Sequence, residues 1–145
     1  MTHSSSHDTP AGKTMAEHRA LHALLGEVEK ASADAAAAAT DEALTQRLDT
    51  LHERLAAHFT GEEESGLFEQ IQELAPERAH DCTRLCEEHS GLLGRLDELR
   101  RVDVADRGSD WAPGIRAFLD SLADHEAQEN EILTRVLDGS EQAQD

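Results

Sequence analysis

The chain contains no tyrosine, only two cysteines and three prolines, and no long run of hydrophobic residues. The prolines, Pro10, Pro76 and Pro113, are predicted to lie outside the helical patterns, and the helix formers alanine, leucine, glutamate and arginine dominate the rest. Scarce helix breakers and abundant helix formers predict an all-α fold. Because no apolar run approaches the roughly 18–20 residues of a membrane-spanning helix, no membrane span is predicted.

Positive charge is also scarce, with 13 lysines and arginines against 31 aspartates and glutamates and a formal net charge of -18. A surface this acidic repels other polyanions, which excludes nucleic acid and anionic lipid as partners. Acidity alone does not say which small cations or proteins bind.

Cellular context is indicated by the N-terminus and by the cysteines. The first 13 residues are polar and lack the apolar core of a signal peptide, so a cytoplasmic location is expected. Cys82 and Cys86 are four residues apart on one predicted helix, and we expect a reduced, partly buried pair rather than a disulfide. High alanine, arginine and aspartate with little lysine is typical of a GC-rich bacterial source.

A length of 145 residues fits one domain. The polar ends predict a flexible N-terminal tail over residues 1–13 and a C-terminal tail over 140–145, which leaves a helical domain over 14–139.

Apolar residues recur at helical spacing in four segments of this domain. They predict helices over residues 14–33, 41–74, 76–102 and 110–137. Gly61 and Gly66 are expected to bend or break the second helix, and Gly139 is expected to end the fourth. Four such helices with modest connections predict an antiparallel up-down-up-down four-helix bundle.

One short pattern occurs twice, a histidine followed four residues later by a glutamate. The two copies are His58–Glu62 and His125–Glu129, in the second and fourth predicted helices. Residues four apart share one face of a helix, and in both copies that face is the apolar one. A histidine and a carboxylate on an apolar face are unsuited to a hydrophobic core and well suited to a metal centre.

The first and third predicted helices each add one histidine to their apolar faces. The six residues predicted to point inward are His18, His58, Glu62, His89, His125 and Glu129. An unpaired buried carboxylate costs several kcal/mol, so the two glutamates must be protonated, paired with imidazolium or bound to metal. The repetition of the pattern favours metal, and pairing without metal is the alternative.

Four imidazoles and two carboxylates are too many donors for one tetrahedral zinc ion. They suit two ions, with the histidines as terminal ligands and the glutamates shared. Imidazole together with carboxylate suits iron, and manganese less well. The Glu-x-x-His spacing of ferritin-like bundles occurs only at Glu77–His80, off the apolar face.

The order histidine, His-x-x-x-Glu, histidine, His-x-x-x-Glu resembles the hemerythrin-like, or HHE cation-binding, domain family over about Met15 to Gly139. The resemblance implies a four-helix bundle around an oxo- or hydroxo-bridged non-heme di-iron centre that meets O2 or related small molecules. It also implies that Glu62 and Glu129 are the bridging carboxylates and that the four inward histidines are terminal ligands.

Two positions depart from the oxygen-carrying members of that family. Leu85 stands where they have a further histidine, and Asn130 stands where they have an aspartate, with Glu129 one position earlier. A missing ligand leaves an iron with an open or water-filled position, or recruits His22. These departures argue against simple reversible O2 carriage.

Three functions are compatible with the sequence. The first is a di-iron protein that binds or reacts with O2, peroxide or nitric oxide in sensing or stress response. The second is buffering or storage of iron or another cation without redox catalysis, with exposed acidic residues such as Glu63 and Glu64. The third is a metal-free interaction module in which the inward polar residues pair with one another. Glu126, in the apolar arc of the fourth helix, is a candidate further ligand or orienting partner.

Overall fold

The computed structural model describes residues 10–137, and these residues form helices and connecting turns without any β-strand, which confirms the predicted all-α class. The α-helices are α1 (Pro10–Ser32), α2 (Ala35–Thr40), α3 (Glu42–Glu64), α4 (Leu67–Leu74), α5 (Ala79–Arg100) and α6 (Trp111–Ile132). Short 3-10 turns occupy Pro76–Arg78 and Val104–Asp106, and a π-helical turn, Leu133–Leu137, continues α6. The prediction for Gly139 and most of the two predicted tails lie outside the described residues.

Two prolines lie inside helices, contrary to the prediction. Pro10 is the first residue of α1, which therefore begins four residues earlier than expected, and Pro113 lies in the first turn of α6. The amide groups of a first turn have no partner within their own helix, so proline loses no hydrogen bond there.

The second predicted helix is broken at one of the two glycines considered. α3 ends at Glu64 and α4 begins at Leu67, while Gly66 between them has a φ of 83°. This left-handed conformation is readily available only to glycine. Gly61 remains inside α3.

The alanine-rich segment between the first two long helices is itself helical. The Asp34 side chain accepts hydrogen bonds from the amides of Ala36 and Ala37 and so caps α2. Asp41 caps α3 in the same way. Each aspartate satisfies amides that the first turn leaves unpaired.

The four long helices contact one another in a closed ring, α1 with α3, α3 with α5, α5 with α6 and α6 with α1. None of the helices within residues 10–137 combines the length and the apolar character that crossing a membrane requires.

Buried apolar side chains form two separate clusters. The large apolar cluster consists of Leu21, Leu24, Val28, Ala38, Leu44, Leu48, Leu51, Leu55, Phe59, Leu92, Leu96, Trp111, Ala112, Ile115, Phe118 and Leu122. The small apolar cluster consists of Leu67, Phe68, Ile71, Ala75, Cys82, Leu85, Ile132, Leu133 and Val136.

A polar layer separates the two clusters. On α5, Leu85 belongs to the small cluster and Leu92 to the large one, and the buried His89 lies between them in sequence. On α6, His125 and Glu129 likewise lie between Leu122 of the large cluster and Ile132 of the small one. The inward polar residues therefore occupy one level of the protein, with apolar packing on both sides.

Gly66→Ala and Gly61→Ala form a matched pair that tests the break between α3 and α4. We expect Gly66→Ala to lower the free energy of unfolding by about 1–2 kcal/mol, because alanine is strained in the left-handed region. Gly61→Ala places its new methyl group in open space within a helix and should raise the free energy of unfolding by about 0.5–1 kcal/mol. Urea unfolding of chelator-treated protein measures both. Equal effects of the two substitutions would contradict the assigned break.

Candidate metal centre

All six residues predicted to point inward are buried, each with 4% exposure or less. They come from the four long helices: His18 from α1, His58 and Glu62 from α3, His89 from α5, and His125 and Glu129 from α6.

The six side chains form two groups of potential ligands, and both groups include both glutamates. Donor set 1 is His18, His58, Glu62 and Glu129, and donor set 2 is His89, His125, Glu62 and Glu129. Within each set the ligand atoms lie within 4.8 Å of one another.

Glu62 divides its two carboxylate oxygens between the sets. Its Oε2 atom lies 3.2 Å from Nε2 of His58 and 3.8 Å from Nε2 of His18. Its Oε1 atom lies 3.3 Å from Nε2 of His89.

Glu129 is divided in the same manner. Its Oε1 atom lies 2.9 Å from Nε2 of His18, in donor set 1, and its Oε2 atom lies 3.6 Å from Nε2 of His125, in donor set 2. Each carboxylate therefore faces both sets, one oxygen to each.

Seven of the atoms that face this centre make no hydrogen bond of regular geometry in the described part of the chain, although several lie within ion-pair distance of one another. They are Nε2 of His58, His89 and His125 and both carboxylate oxygens of Glu62 and Glu129. Buried polar atoms in native proteins are nearly always hydrogen-bonded, because leaving them unpaired forfeits their hydration without return. Unpaired nitrogen and oxygen atoms that converge from four helices therefore fit a metal centre.

Opposite charges stabilise one another across the centre. Burial alone lowers the pKa of His18, but the Glu129 and Glu62 carboxylates outweigh it and raise that pKa to about 10. Burial favours the neutral acid of Glu62, yet the surrounding histidines outweigh it and hold the Glu62 pKa far below its usual range. Raised pKa values favour protons on His18, His58 and His125, which balance the charge of Glu62 when no metal is bound, and a metal ion bound here would take the place of those protons.

The outer nitrogen of each histidine donates to an acceptor on a neighbouring helix. His58 Nδ1 donates to Glu17 Oε1 at 2.6 Å and His89 Nδ1 to Glu63 Oε2 at 2.6 Å. His125 Nδ1 donates to Glu88 Oε1 at 2.7 Å, and His18 Nδ1 donates to Asn130 Oδ1 at 2.9 Å. In the neutral imidazole, a proton on Nδ1 leaves the lone pair on Nε2, which points at the centre.

We call these four acceptors, Glu17, Glu63, Glu88 and Asn130, the acceptor ring, because each long helix supplies one. The acceptor on α1 bonds a histidine of α3, the one on α3 a histidine of α5, the one on α5 a histidine of α6, and the one on α6 a histidine of α1. Such partners fix the orientation of a ligating imidazole and increase its basicity.

Spacing within single helices did not predict the acceptor ring. Glu63 was expected among the exposed acidic residues, and it is 48% exposed, but its bond to His89 was not foreseen. A signal was present, because every acceptor is adjacent in sequence to an inward residue. Glu17 precedes His18 and Glu88 precedes His89, while Glu63 and Asn130 follow the two inward glutamates. Residues adjacent in sequence on a helix point about 100° apart, and this rotation directs the four acceptors toward the neighbouring helix.

Phe59 packs against the histidines from the side of the large apolar cluster. Its ring stacks on His89, with centroids 3.9 Å apart and planes within 5°, and it contacts His125 edge-on with a centroid distance of 5.5 Å. This buried ring restricts the histidine side chains and keeps that side of the centre apolar.

Three other residues considered in the sequence analysis lie outside both donor sets. Leu85 packs in the small apolar cluster, and His22 is exposed. Glu126 is buried, burial raises its pKa, and its Oε2 atom has no hydrogen-bond partner in the described part of the chain. His22 and Glu126 line a groove of about 290 Å³ between α1 and α6, together with Asn130.

Both cysteines are free, as predicted, with Cys82 buried and Cys86 partly buried. Burial raises the pKa of each thiol to about 11, which leaves little reactive thiolate at neutral pH. Cys86 forms a third potential ligand group with Glu63 and His89, but those two residues already bond to each other.

The fold and the site together define an all-helical protein with a buried centre of four histidines and two glutamates, donor types that suit a transition metal. A family model described as the hemerythrin HHE cation binding domain matches residues 9–137. The match spans most of the chain, so the chain belongs to the hemerythrin HHE cation-binding domain family, and the resemblance found in the sequence is confirmed. Neither a curated protein nor a solved structure shows significant similarity to the chain.

Proposed function

We propose that the chain holds two iron ions, one at each donor set, with Glu62 and Glu129 shared between them. The observation that carries the proposal is the division of both carboxylates, each with one oxygen toward either set. The unpaired buried nitrogen and oxygen atoms support it further. Imidazole and carboxylate donors favour iron, whereas structural zinc sites are rich in cysteine sulfur.

Iron bound here supplies the capacity to bind or exchange electrons with O2, peroxide or nitric oxide. Each donor set offers two imidazole nitrogens and two shared carboxylate oxygens. Histidine and carboxylate sites with open positions are typical of non-heme iron that meets O2. We therefore propose a role in sensing or in the response to oxidative or nitrosative stress.

The chain's own residues hold and insulate the centre. The two glutamates supply negative charge between the metal positions, and the acceptor ring keeps each Nε2 directed inward. The apolar clusters and Phe59 limit water, so charges inside the centre are screened weakly and interact strongly.

We also infer that the long helices form an antiparallel up-down-up-down bundle. Glu17 of α1 pairs with His58 late in α3, and Glu27, further along α1, pairs with Arg47 early in α3, so the two helices run in opposite directions. The same reversal holds for the next two helix pairs, through the contacts Glu63–His89 and Asp49–Arg100, and Glu88–His125 and Arg95–Ser121.

The first prediction of this proposal concerns metal content. Full-length, untagged protein from iron-supplemented cells should contain two irons per chain by elemental analysis. Glu62→Gln should reduce occupancy at both positions because both donor sets include Glu62, whereas His89→Gln should remove only the ion of donor set 2.

Glu64→Gln is the matched control. Glu64 is exposed and lies outside both donor sets, and its substitution removes the same charge from α3. It should retain two irons. A folded protein with no bound metal would leave the metal-free interaction module, and a single zinc or manganese ion would rule out the di-iron centre.

The second prediction concerns small ligands. The anaerobically reduced, iron-loaded protein should change its visible absorption on addition of O2, peroxide or nitric oxide, because the centre binds at least one of them. Absence of any change with all three, together with rapid loss of iron to weak chelators, would instead support cation buffering or storage.

A further inference from the structure

The acceptor ring is uniform except at one position. Three of its members are carboxylates, Glu17, Glu63 and Glu88, while the fourth, Asn130, is a neutral amide. The exception affects His18 alone.

The inward residues and their acceptors follow the same order in the two halves of the chain, so the position of the exception can be compared with its counterpart. Glu17 and Glu88 each precede the single inward histidine of their helix, and Glu63 and Asn130 each follow the inward glutamate of theirs. Asn130 is therefore the counterpart of Glu63 in the second half of the chain. The geometry is retained, since an oxygen of each residue accepts a hydrogen bond from an Nδ1–H group, but the charge is not.

The two donor sets consequently differ in the charge of the acceptors that bond their histidines. In donor set 2, His89 and His125 both donate to carboxylates. In donor set 1, His58 donates to a carboxylate and His18 to an amide. A carboxylate acceptor draws the Nδ1 proton toward itself and makes Nε2 a stronger donor to a metal, whereas an amide fixes the orientation without adding charge.

Solvent, one arginine and Glu126 weaken this difference without removing it. The Glu126 carboxyl interacts with His18 and His58 of donor set 1, but burial raises its pKa and so favours its neutral form. The three carboxylates are between 35% and 48% exposed, and Arg84 lies 3.4 Å from the Glu88 oxygen that does not bond His125. Arg84 is itself 40% exposed, and ion pairs of this kind are weak in water. The histidines on which the carboxylates act are at most 3% exposed, so the bonds to them are little screened.

We propose that the two metal positions are unequal, with Asn130 making donor set 1 the weaker position, from which iron leaves first. This inference rests on the proposed two-iron function and deepens it. Glu17, Glu63, Glu88 and Asn130 act as positioning residues, because they contact the histidines and not the metal.

The test is the release of iron from full-length, anaerobically loaded iron(II) protein to an excess of a coloured iron(II) chelator. The wild type should release its two ions in two phases of equal amplitude. Glu17→Gln should speed the fast phase alone, and Glu63→Gln should speed the slow phase alone, each by roughly 10–100-fold. Asn130→Asp, which restores the charge in the same shape, should slow the fast phase toward the slow one.

Glu64→Gln is again the control, and neither phase should change. A merely structural role for Glu17 and Glu63 would alter both phases together, and that result would overturn the inference. Two ions leaving the wild type in a single phase would overturn it while leaving the two-iron function intact. Fewer than two bound ions would overturn both.

Discussion

Two carboxylates buried among four imidazoles constrain the whole of this protein. Glu62 and Glu129 are each 1% exposed, and neither has an arginine or lysine within ion-pair distance in the described part of the chain. Charges without water are stable only when other charges or metal ions surround them. His18, His58 and His125, whose pKa values the carboxylates raise, meet that requirement as imidazolium ions when the centre is metal-free, and under the proposed function the histidines would meet it as co-ligands of the metal.

The helices meet this constraint by arranging polar and apolar side chains in layers. The polar residues occupy one level, the large apolar cluster lies on one side, and the small cluster, completed by α4 after the break at Gly66, lies on the other. The acceptor ring then joins all four long helices at that level through histidine hydrogen bonds. The contacts that orient the inward histidines are therefore also contacts between helices, so the centre and the packing of the helices depend on each other.

The sequence predicted which polar side chains point inward better than it predicted their partners. Periodicity sufficed for the inward residues because position on a helix face follows directly from spacing, so His18 and Glu129 could be identified without a partner. The partners of Glu17 and Asn130 depend on which helix lies beside which, and spacing within one helix does not contain that. Pro113 was expected outside the helical pattern although it falls within the predicted fourth segment, and the structure shows that the first turn of α6 accepts it. A glycine within a helical pattern predicts a possible break, and the structure has one at Gly66. Gly61 gave the same prediction, but the helix continues through it.

X-ray absorption at the iron edge of the iron-loaded protein tests the shared-carboxylate centre most directly, since it reports the neighbours of the metal. If Glu62 and Glu129 bridge two ions, each iron should show a first shell of nitrogen and oxygen and a second iron within roughly 4 Å. A nitrogen and oxygen shell with no iron neighbour, in protein carrying two ions per chain, would contradict the account.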